Sequence, residues 1–521
     1  MTQTVSDLHG SAGRREWAAL AVLCLPLLIV SMDVSVLFFA VPFIDVALAP
    51  TATEQLWIFD IYGFVLAGLL ITMGSLGDRI GRRRLMLTGA VLFSAASVLA
   101  AYAPSAELLI AARAVLGIAG ATLMPSTLAI IRNLFHVEAE RTKAVAIWSA
   151  VLTGGVSVGP ILSGLLLEHF WWGSVFLLNI PVMVVLLVLG PLLLPESKGG
   201  RRGAFDWQSS LLVLGSVLPV IAGIKSVAAD GWSGRALVYA GGGVLVGGGF
   251  VVRQLRATEP MVDLRLLAQR RFGGSLGINV LSMFAIMGSS LVLTQYLQSV
   301  LGLEPLAAAL WSLVPSVVVG AAAPLAARLA PSFGRPNVMA GGFAVSVIGF
   351  LLLSWVEVTS PLALVLGAAG LVSGGLVAVL SLITDYVLGV APPEHAGSGA
   401  GLTETSSELG GALGMALLGS VLASVYRAHI GRLLPPLDAG ASDQASQTLA
   451  GAAAVAATRP GPAGDAVLAA GRAAYLSGMH AASLVAAGVL VIAAILAVTL
   501  LRDGRAQAEA TSPLAVGGHS G

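Results

Sequence analysis

Five ionisable residues, Asp33, Asp60, Arg113, Glu404 and Glu408, each stand inside a stretch of this 521-residue chain that is otherwise apolar. A charged side chain at the centre of a hydrocarbon layer costs about 3 kcal/mol on insertion scales, so such residues persist where they pair with one another or handle ions. The chemistry open to them is proton binding and release, and attraction of cations. Glu404 and Glu408 are four apart and so share one face of a helix. Two carboxylates facing one cavity do not readily ionise together, which suits them to carrying a proton. Arg113 lies about six residues into its apolar stretch and needs a carboxylate partner. Asp60 lies nearer a helix end, about 9 Å in at 1.5 Å per residue, where a hydrated position is expected. Tyr62, Phe38 and Phe39 are the aromatic residues close to it that suit a lipophilic cation by cation–π attraction.

The elements that position these groups follow from composition. With 57% hydrophobic and 11% charged residues and a mean hydropathy of +0.91, the chain lies far from soluble domains, where about 25% of residues are charged. It reads as an all-α, multi-pass membrane protein. A net charge of +1 gives no bulk attraction to nucleic acid. Cys24, the single cysteine, excludes an intramolecular disulfide, and the seven histidines show no metal-ligand spacing. No nucleophile, base and orienting group recur in a soluble loop, and there is no Walker-type phosphate loop, so an enzyme is not expected. No cofactor is expected either; an ion gradient is left as the energy source. The first apolar run is too long for a signal-peptide core and lacks a small-residue cleavage site, so it reads as the first span.

Apolar runs long enough to cross a bilayer predict fourteen helices: 17–41, 55–76, 85–103, 107–131, 144–167, 172–194, 208–228, 235–253, 273–299, 306–328, 337–356, 361–390, 398–426 and 475–501. Of the 28 Lys and Arg residues, six fall in loops after odd-numbered helices: Lys225, Arg235, Arg427, Arg432, Arg459 and Arg472. Arg113 is within a helix and all others lie at the termini or after even-numbered helices, which puts both termini in the cytoplasm. Trp17, Trp57, Trp171, Trp172, Trp207, Trp232 and Trp355 fall near helix ends, as an interfacial belt requires. The longest non-membrane segment, 429–474, is external by this count, and its Ala-rich run allows short helices. The loop after helix 2, Gly74 to Arg84, is weakly echoed after helix 10 by Pro324 to Arg328 and Gly334-Arg335-Pro336. Such an echo suits a duplicated transporter. The expected organisation is a cytoplasmic tail at 1–16, a six-helix bundle at 17–194, inserted helices 7 and 8 with linkers at 195–271, a second six-helix bundle at 272–501 and a cytoplasmic tail at 502–521.

Three segments carry a family resemblance. Gly74-Ser-Leu-Gly-Asp78-Arg79-Ile-Gly81-Arg82-Arg83-Arg84 resembles the loop signature of the major facilitator superfamily. Leu109-x-x-x-Arg113-x-x-x-Gly117-x-x-Gly120 resembles the fourth-helix motif of its proton-coupled members, and Gly155-Val-Ser-Val-Gly159-Pro160-Ile-Leu-Ser-Gly164 the fifth-helix motif of its antiporters. With fourteen spans and Met32-Asp33-Val34-Ser35 in helix 1, residues 17 to 500 are similar to the fourteen-helix drug:proton antiporters of the quaternary-ammonium and multidrug efflux type.

The resemblance implies a major facilitator fold in the cell inner (cytoplasmic) membrane, a monomer in the lipid bilayer exporting lipophilic cationic small molecules against protons. It brings helices 1 and 4 to one cavity, making Asp33 the first partner for Arg113. The implied proton-coupling set is Asp33, Arg113, Glu404 and Glu408; the implied substrate set is Asp33, Asp60, Tyr62, Phe38, Phe39 and Glu404. Gly74, Asp78, Arg79, Gly81 and Arg82 become a latch that breaks and reforms as the bundles rock, with Arg83 and Arg84 available to carbonyls or anionic lipid. Gly155, Gly159, Pro160 and Gly164 become the antiporter motif, where small residues allow backbone-to-backbone contact and Pro160 bends the helix. Some relatives carry an acid in helix 10; the stretch from Leu306 to Ala327 has none. Three alternatives stay open: export of a neutral or anionic natural product, a lipid flippase, and a proton-pumping oxidoreductase subunit. The last requires mid-membrane lysines, and Lys225, expected at a helix end, is the nearest to one.

Overall fold

A computed structural model describes residues 12–197, 206–231, 233–257, 264–390 and 396–501. Most of both predicted tails, parts of the linkers and Trp232 lie outside the described residues. Among the described residues, fourteen helices are long and apolar enough to cross a membrane. Helices 1 to 6 are Arg14–Leu48, Ala52–Ile80, Arg82–Ala101, Ala106–Leu134, Glu138–His169 and Asn179–Leu193, the last preceded by the single turn Ser174–Leu177. The inserted pair is helix 7, Trp207–Asp230, and helix 8, Gly234–Arg256. Helices 9 to 14 are Arg270–Gln295, Val314–Phe333, Arg335–Leu353, Leu362–Val390, Ala396–Leu433 and Pro462–Leu500. Helix 9 ends in a π-turn, Tyr296–Val300, and helix 10 is preceded by the short helix Pro305–Trp311.

Several helices overrun their apolar cores because caps, not hydropathy, set their ends. Thr51 caps helix 2 by accepting from the Glu54 N–H, and the Glu54 carboxylate accepts in return from the Thr51 N–H. This reciprocal box satisfies two donors that a helix start leaves orphaned. Ser105 caps helix 4 in one direction only, accepting from the Leu108 N–H at 3.4 Å. Helices run on from both sides into the segment expected outside the membrane at 429–474. Helix 13 continues to Leu433, and helix 14 starts at Pro462, where a proline needs no N–H partner. Between them lie two further short helices, Ala439–Gln447 and Leu449–Ala457. They are tied down by Tyr426, whose hydroxyl reaches Ala445 O at 2.9 Å and Thr448 O at 3.0 Å.

The two halves meet toward the side away from the termini. A Cβ placed on Gly164 would lie 2.7 Å from Leu306 Cα, and one on Gly419 would lie 2.6 Å from the Leu56 side chain. Gly63 and Ala412 pack in the same way nearer the middle, and the Ala52 N–H faces Gln447 at 3.4 Å. Helix 7 fills the crevice between helices 2 and 13, where Ile221 packs with Phe64, Ala412 and Ala416.

Candidate transport site

Helix 5 lies on helix 1 almost without side chains between them. A Cβ on Gly155 would meet Ser31 Oγ at 1.9 Å, and one on Gly159 would meet Ser35 Oγ at 2.3 Å. These two contacts bracket Asp33. Ser163 then donates to Val36 O at 3.0 Å, adding a polar tie one turn further along. The expected small-residue motif is thus a seat for the stretch of helix 1 that carries the carboxylate. Its last member, Gly164, does different work, meeting the Pro305–Leu306 backbone of the opposite half.

Arg113 of helix 4 is fully buried and pairs with Asp33, whose side chain is 3% exposed. The guanidinium is fixed by more than this ion pair: Nε donates to Ile58 O at 3.1 Å, and the Tyr62 ring stands 4.7 Å from its central carbon. One guanidinium nitrogen and the Tyr62 hydroxyl remain without hydrogen-bond partners, although both are buried. Tyr62 lies within electrostatic range of Asp33, Arg113 and Glu408 together.

In the second half, Glu404 and Glu408 are half-buried on helix 13 and interact electrostatically with each other. Asn279 of helix 9, which sequence reasoning passed over, holds this segment through the Ser406 and Ser407 hydroxyls at 2.7 and 2.9 Å. Phe38 and Phe39 are buried, with Phe38 packed at 5.6 Å, centroid to centroid, on Phe59.

Asp60 departs from the expectation of a hydrated position. It is 0% exposed, and Lys225 of helix 7 places its ammonium 2.7 Å from Oδ2. The same ammonium stands 4.0 Å above the Trp57 ring, so Trp57 serves this cation instead of the interface. Lys225 is likewise buried within helix 7, not at a solvated end. The aromatic neighbour the sequence offered, Tyr62, covers Arg113 instead.

The loop after helix 2 folds as a compact clasp. Asp78 of helix 2 accepts from Nε of Arg82, the first residue of helix 3, at 2.8 Å across the Gly81 break. Gly81 adopts φ +109°, a conformation open to glycine, and a Cβ there would collide with Glu196 at 2.5 Å. Glu196, just beyond helix 6, accepts from the Arg83 N–H at 3.1 Å and lies 3.8 Å from the Nε atoms of Arg83 and Arg84. Arg83 also donates to Leu194 O at 2.9 Å, as expected for a base at a helix C-terminus. Gly74 packs on Pro125 of helix 4, and Arg79 is half-buried in the last turn of helix 2. Glu196 is a partner that sequence reasoning missed; the available signal was a lone acid directly after an apolar run, facing four arginines.

Among the described residues, fourteen helices long and apolar enough to span a membrane, a clasp in the loop after helix 2 and a buried Asp–Arg pair between helices 1 and 4 define a membrane transporter. Residues 23–415 match the Major Facilitator Superfamily, and the chain belongs to it. It is 42% identical to the multidrug efflux pump LfrA of Mycolicibacterium smegmatis, covering 94% of this chain and 97% of that one. It is 33% identical to the methyl viologen resistance protein SmvA of Salmonella typhimurium, over 92% and 96% of the two chains. It is 30% identical to the tetracenomycin C resistance and export protein of Streptomyces glaucescens, over 97% and 96%. Among solved structures, a bacterial homolog of the human lysosomal transporter Spinster, inward-facing and unoccupied, shares the fold with a TM-score of 0.63 at 15% identity, covering 94% of this chain and 99% of that one.

Proposed function

We propose that this protein is a proton-coupled multidrug efflux antiporter of the cytoplasmic membrane, exporting lipophilic, cationic compounds by alternating access. The observation that carries the reading is the buried pair of Asp33 and Arg113. A carboxylate held between a guanidinium, which favours its charge, and apolar surroundings, which oppose it, can exchange a proton as its hydration changes. A proton and a cationic cargo compete for one carboxylate, so binding either displaces the other. That competition produces exchange without any covalent step. Glu404 and Glu408, half-buried on helix 13 of the other half, are the further acids of the cycle. Since all these groups come from one chain, a monomer suffices.

With the termini in the cytoplasm, the close packing of Gly164 on Leu306 and of Gly419 on Leu56 shuts the external side. This state would load cargo from the cytoplasm. Drug-dependent proton release from membrane vesicles tests the reading: Asp33→Asn is expected to abolish it. Near-normal coupling in that variant removes Asp33 from the mechanism. The relative named for tetracenomycin C resistance and export supports a second reading, in which the acids couple protons and the cargo is a neutral or anionic natural product. Cationic, neutral and anionic compounds competing for proton release separate the two.

A further inference from the structure

Helix 1 carries a second buried carboxylate that the sites above leave unused. Asp45 lies twelve residues beyond Asp33 on the same helix, about 18 Å along its axis and toward the side where the halves meet. It is 8% exposed. Its Oδ2 accepts from the Gln55 side-chain amide, and its Oδ1 is buried with no partner at all. The residue lines a cavity at the seam of the two halves, together with Gln55 of helix 2, Gln295 and Ser299 of the helix 9 end, Tyr426 of helix 13, and Gln447.

Among the described residues, no Lys or Arg borders that cavity. The contrast with the other aspartates of helices 1 and 2 is direct: Asp33 has Arg113, Asp60 has Lys225 and Asp78 has Arg82. Glutamine amides solvate a carboxylate but do not neutralise it, and a buried charge without a counter-ion is strongly disfavoured. The fourth carboxylate is thus left to a proton or to a positive group from outside the chain, and a cation takes the proton's place. Its place at the seam, further along the helix that holds the central carboxylate, puts it where cargo leaves.

We propose that Asp45, with Gln55 and Gln295, forms a second, exit-side binding site for the positive end of the exported molecule. The inference rests on the reading of cargo as cationic. As the outer ends of the halves part, a cation released from Asp33 moves along helix 1 and meets Asp45 before bulk water.

Equilibrium binding of tetraphenylphosphonium to the purified full chain in lipid nanodiscs tests this, using wild type, Asp33→Asn, Asp45→Asn, Asp45→Glu and the Asp33→Asn/Asp45→Asn double variant. Wild type is expected to show a tight and a weak phase. Asp45→Asn should weaken the weak phase by at least about tenfold while leaving the tight phase within about twofold. Asp45→Glu, which keeps the charge, should retain the weak phase, so a fold broken by Asn is recognised. The double variant should lose both. Titrations of Asp45→Asn that superimpose on wild type, or Asp33→Asn and the double variant binding alike, overturn the proposal. A tight phase unchanged in Asp33→Asn instead overturns the central-site reading, and the loss of the weak phase in Asp45→Asn still reports on Asp45.

Discussion

The ammonium of Lys225 lies 2.7 Å from the carboxylate of Asp60, and neither side chain is more than 1% exposed. This joins helix 7, which lies outside both six-helix halves, to helix 2 of the first half. Helix 7 also touches helix 13 of the second half, but there through apolar contacts such as Ile221 with Ala412 and Ala416. Apolar surfaces slide at small cost, whereas separating a buried ion pair strands two charges. Helix 7 is therefore expected to travel with helices 1 to 6 as the halves rock. Lys225→Met leaves Asp60 without its cation and should destabilise the fold by about 3–5 kcal/mol. Lys225→Met/Asp60→Asn removes both charges and should recover at least wild-type stability. Thermal unfolding of the solubilised variants decides this; a double variant as unstable as Lys225→Met contradicts the pairing.

Gly159 makes a steric prediction. Its missing Cβ would sit 2.3 Å from Ser35 Oγ, whereas the next neighbours, Met32 O and Val36 Cγ2, are at 3.3 and 3.4 Å. One atom is the obstacle. Overpacking of about 1–3 kcal/mol at this contact shifts helix 1 beside Asp33, so Gly159→Ala should lower transport about tenfold or more in membranes of matched protein content. Ser35→Ala removes the obstructing oxygen, and the double variant should regain most of the lost rate. If the double variant is as slow as Gly159→Ala alone, Gly159 is needed for something other than close approach.

The contrast between these two contacts shows what a sequence can disclose. Fourteen apolar runs were legible because hydrocarbon tolerates no exposed backbone polarity, which forces each span to be written as one continuous helix. Asp33 and Arg113 were legible as a pair because neither is tolerable alone in a membrane and the fourth-helix motif brought their helices together. Lys225 was not legible as the partner of Asp60. The two are 165 positions apart on helices with no shared periodicity, and a lysine near a helix end ordinarily extends its long stem toward water. Glu196 was hidden for the same reason, its partners lying more than a hundred positions earlier. Helix ends were overrun where caps such as Thr51 and Ser105 act, since these belong to water-exposed turns that hydropathy does not see.

Asp438, exposed at the start of the short helix Ala439–Gln447, gives a pH dependence. The Ala441 N–H donates to it at 2.9 Å, and Arg459 pairs with it at 2.7 Å. The N–H bond first, and the Arg459 charge further, hold its carboxyl below the ordinary aspartate value. A depressed folded value means that the stabilisation is complete above the unfolded value, about 3.9, and is lost as pH falls through the folded one. Acidification below about pH 4 should therefore lower the protection of the 441–447 amides relative to the intrinsic exchange rate at each pH, measured by hydrogen–deuterium exchange. Asp438→Asn can still cap the helix but does not titrate, so its exchange should lose this acid-dependent component. An identical acid response in that variant assigns the effect to another group.

Arg113 allows its positioning of Asp33 to be separated from its charge. Its guanidinium serves three neighbours at once: Asp33, Ile58 O at 3.1 Å and the Tyr62 ring at 4.7 Å. A lysine supplies the charge but not the planar fork that reaches several partners in fixed directions. Arg113→Met strands Asp33 and should cost about 3–5 kcal/mol of stability. Arg113→Lys should fold, yet release Tyr62 and the helix 2 carbonyl from their present geometry. The activation barrier of drug-dependent proton release should then rise by about 1–3 kcal/mol, slowing it roughly five- to 150-fold, while the protein remains intact in the membrane. The pair Asp33→Asn/Arg113→Met completes the test, because two neutral partners should restore stability without restoring coupling. Recovery of both properties in that double variant would make the ion pair a structural tie and move proton coupling to the carboxylates of helix 13.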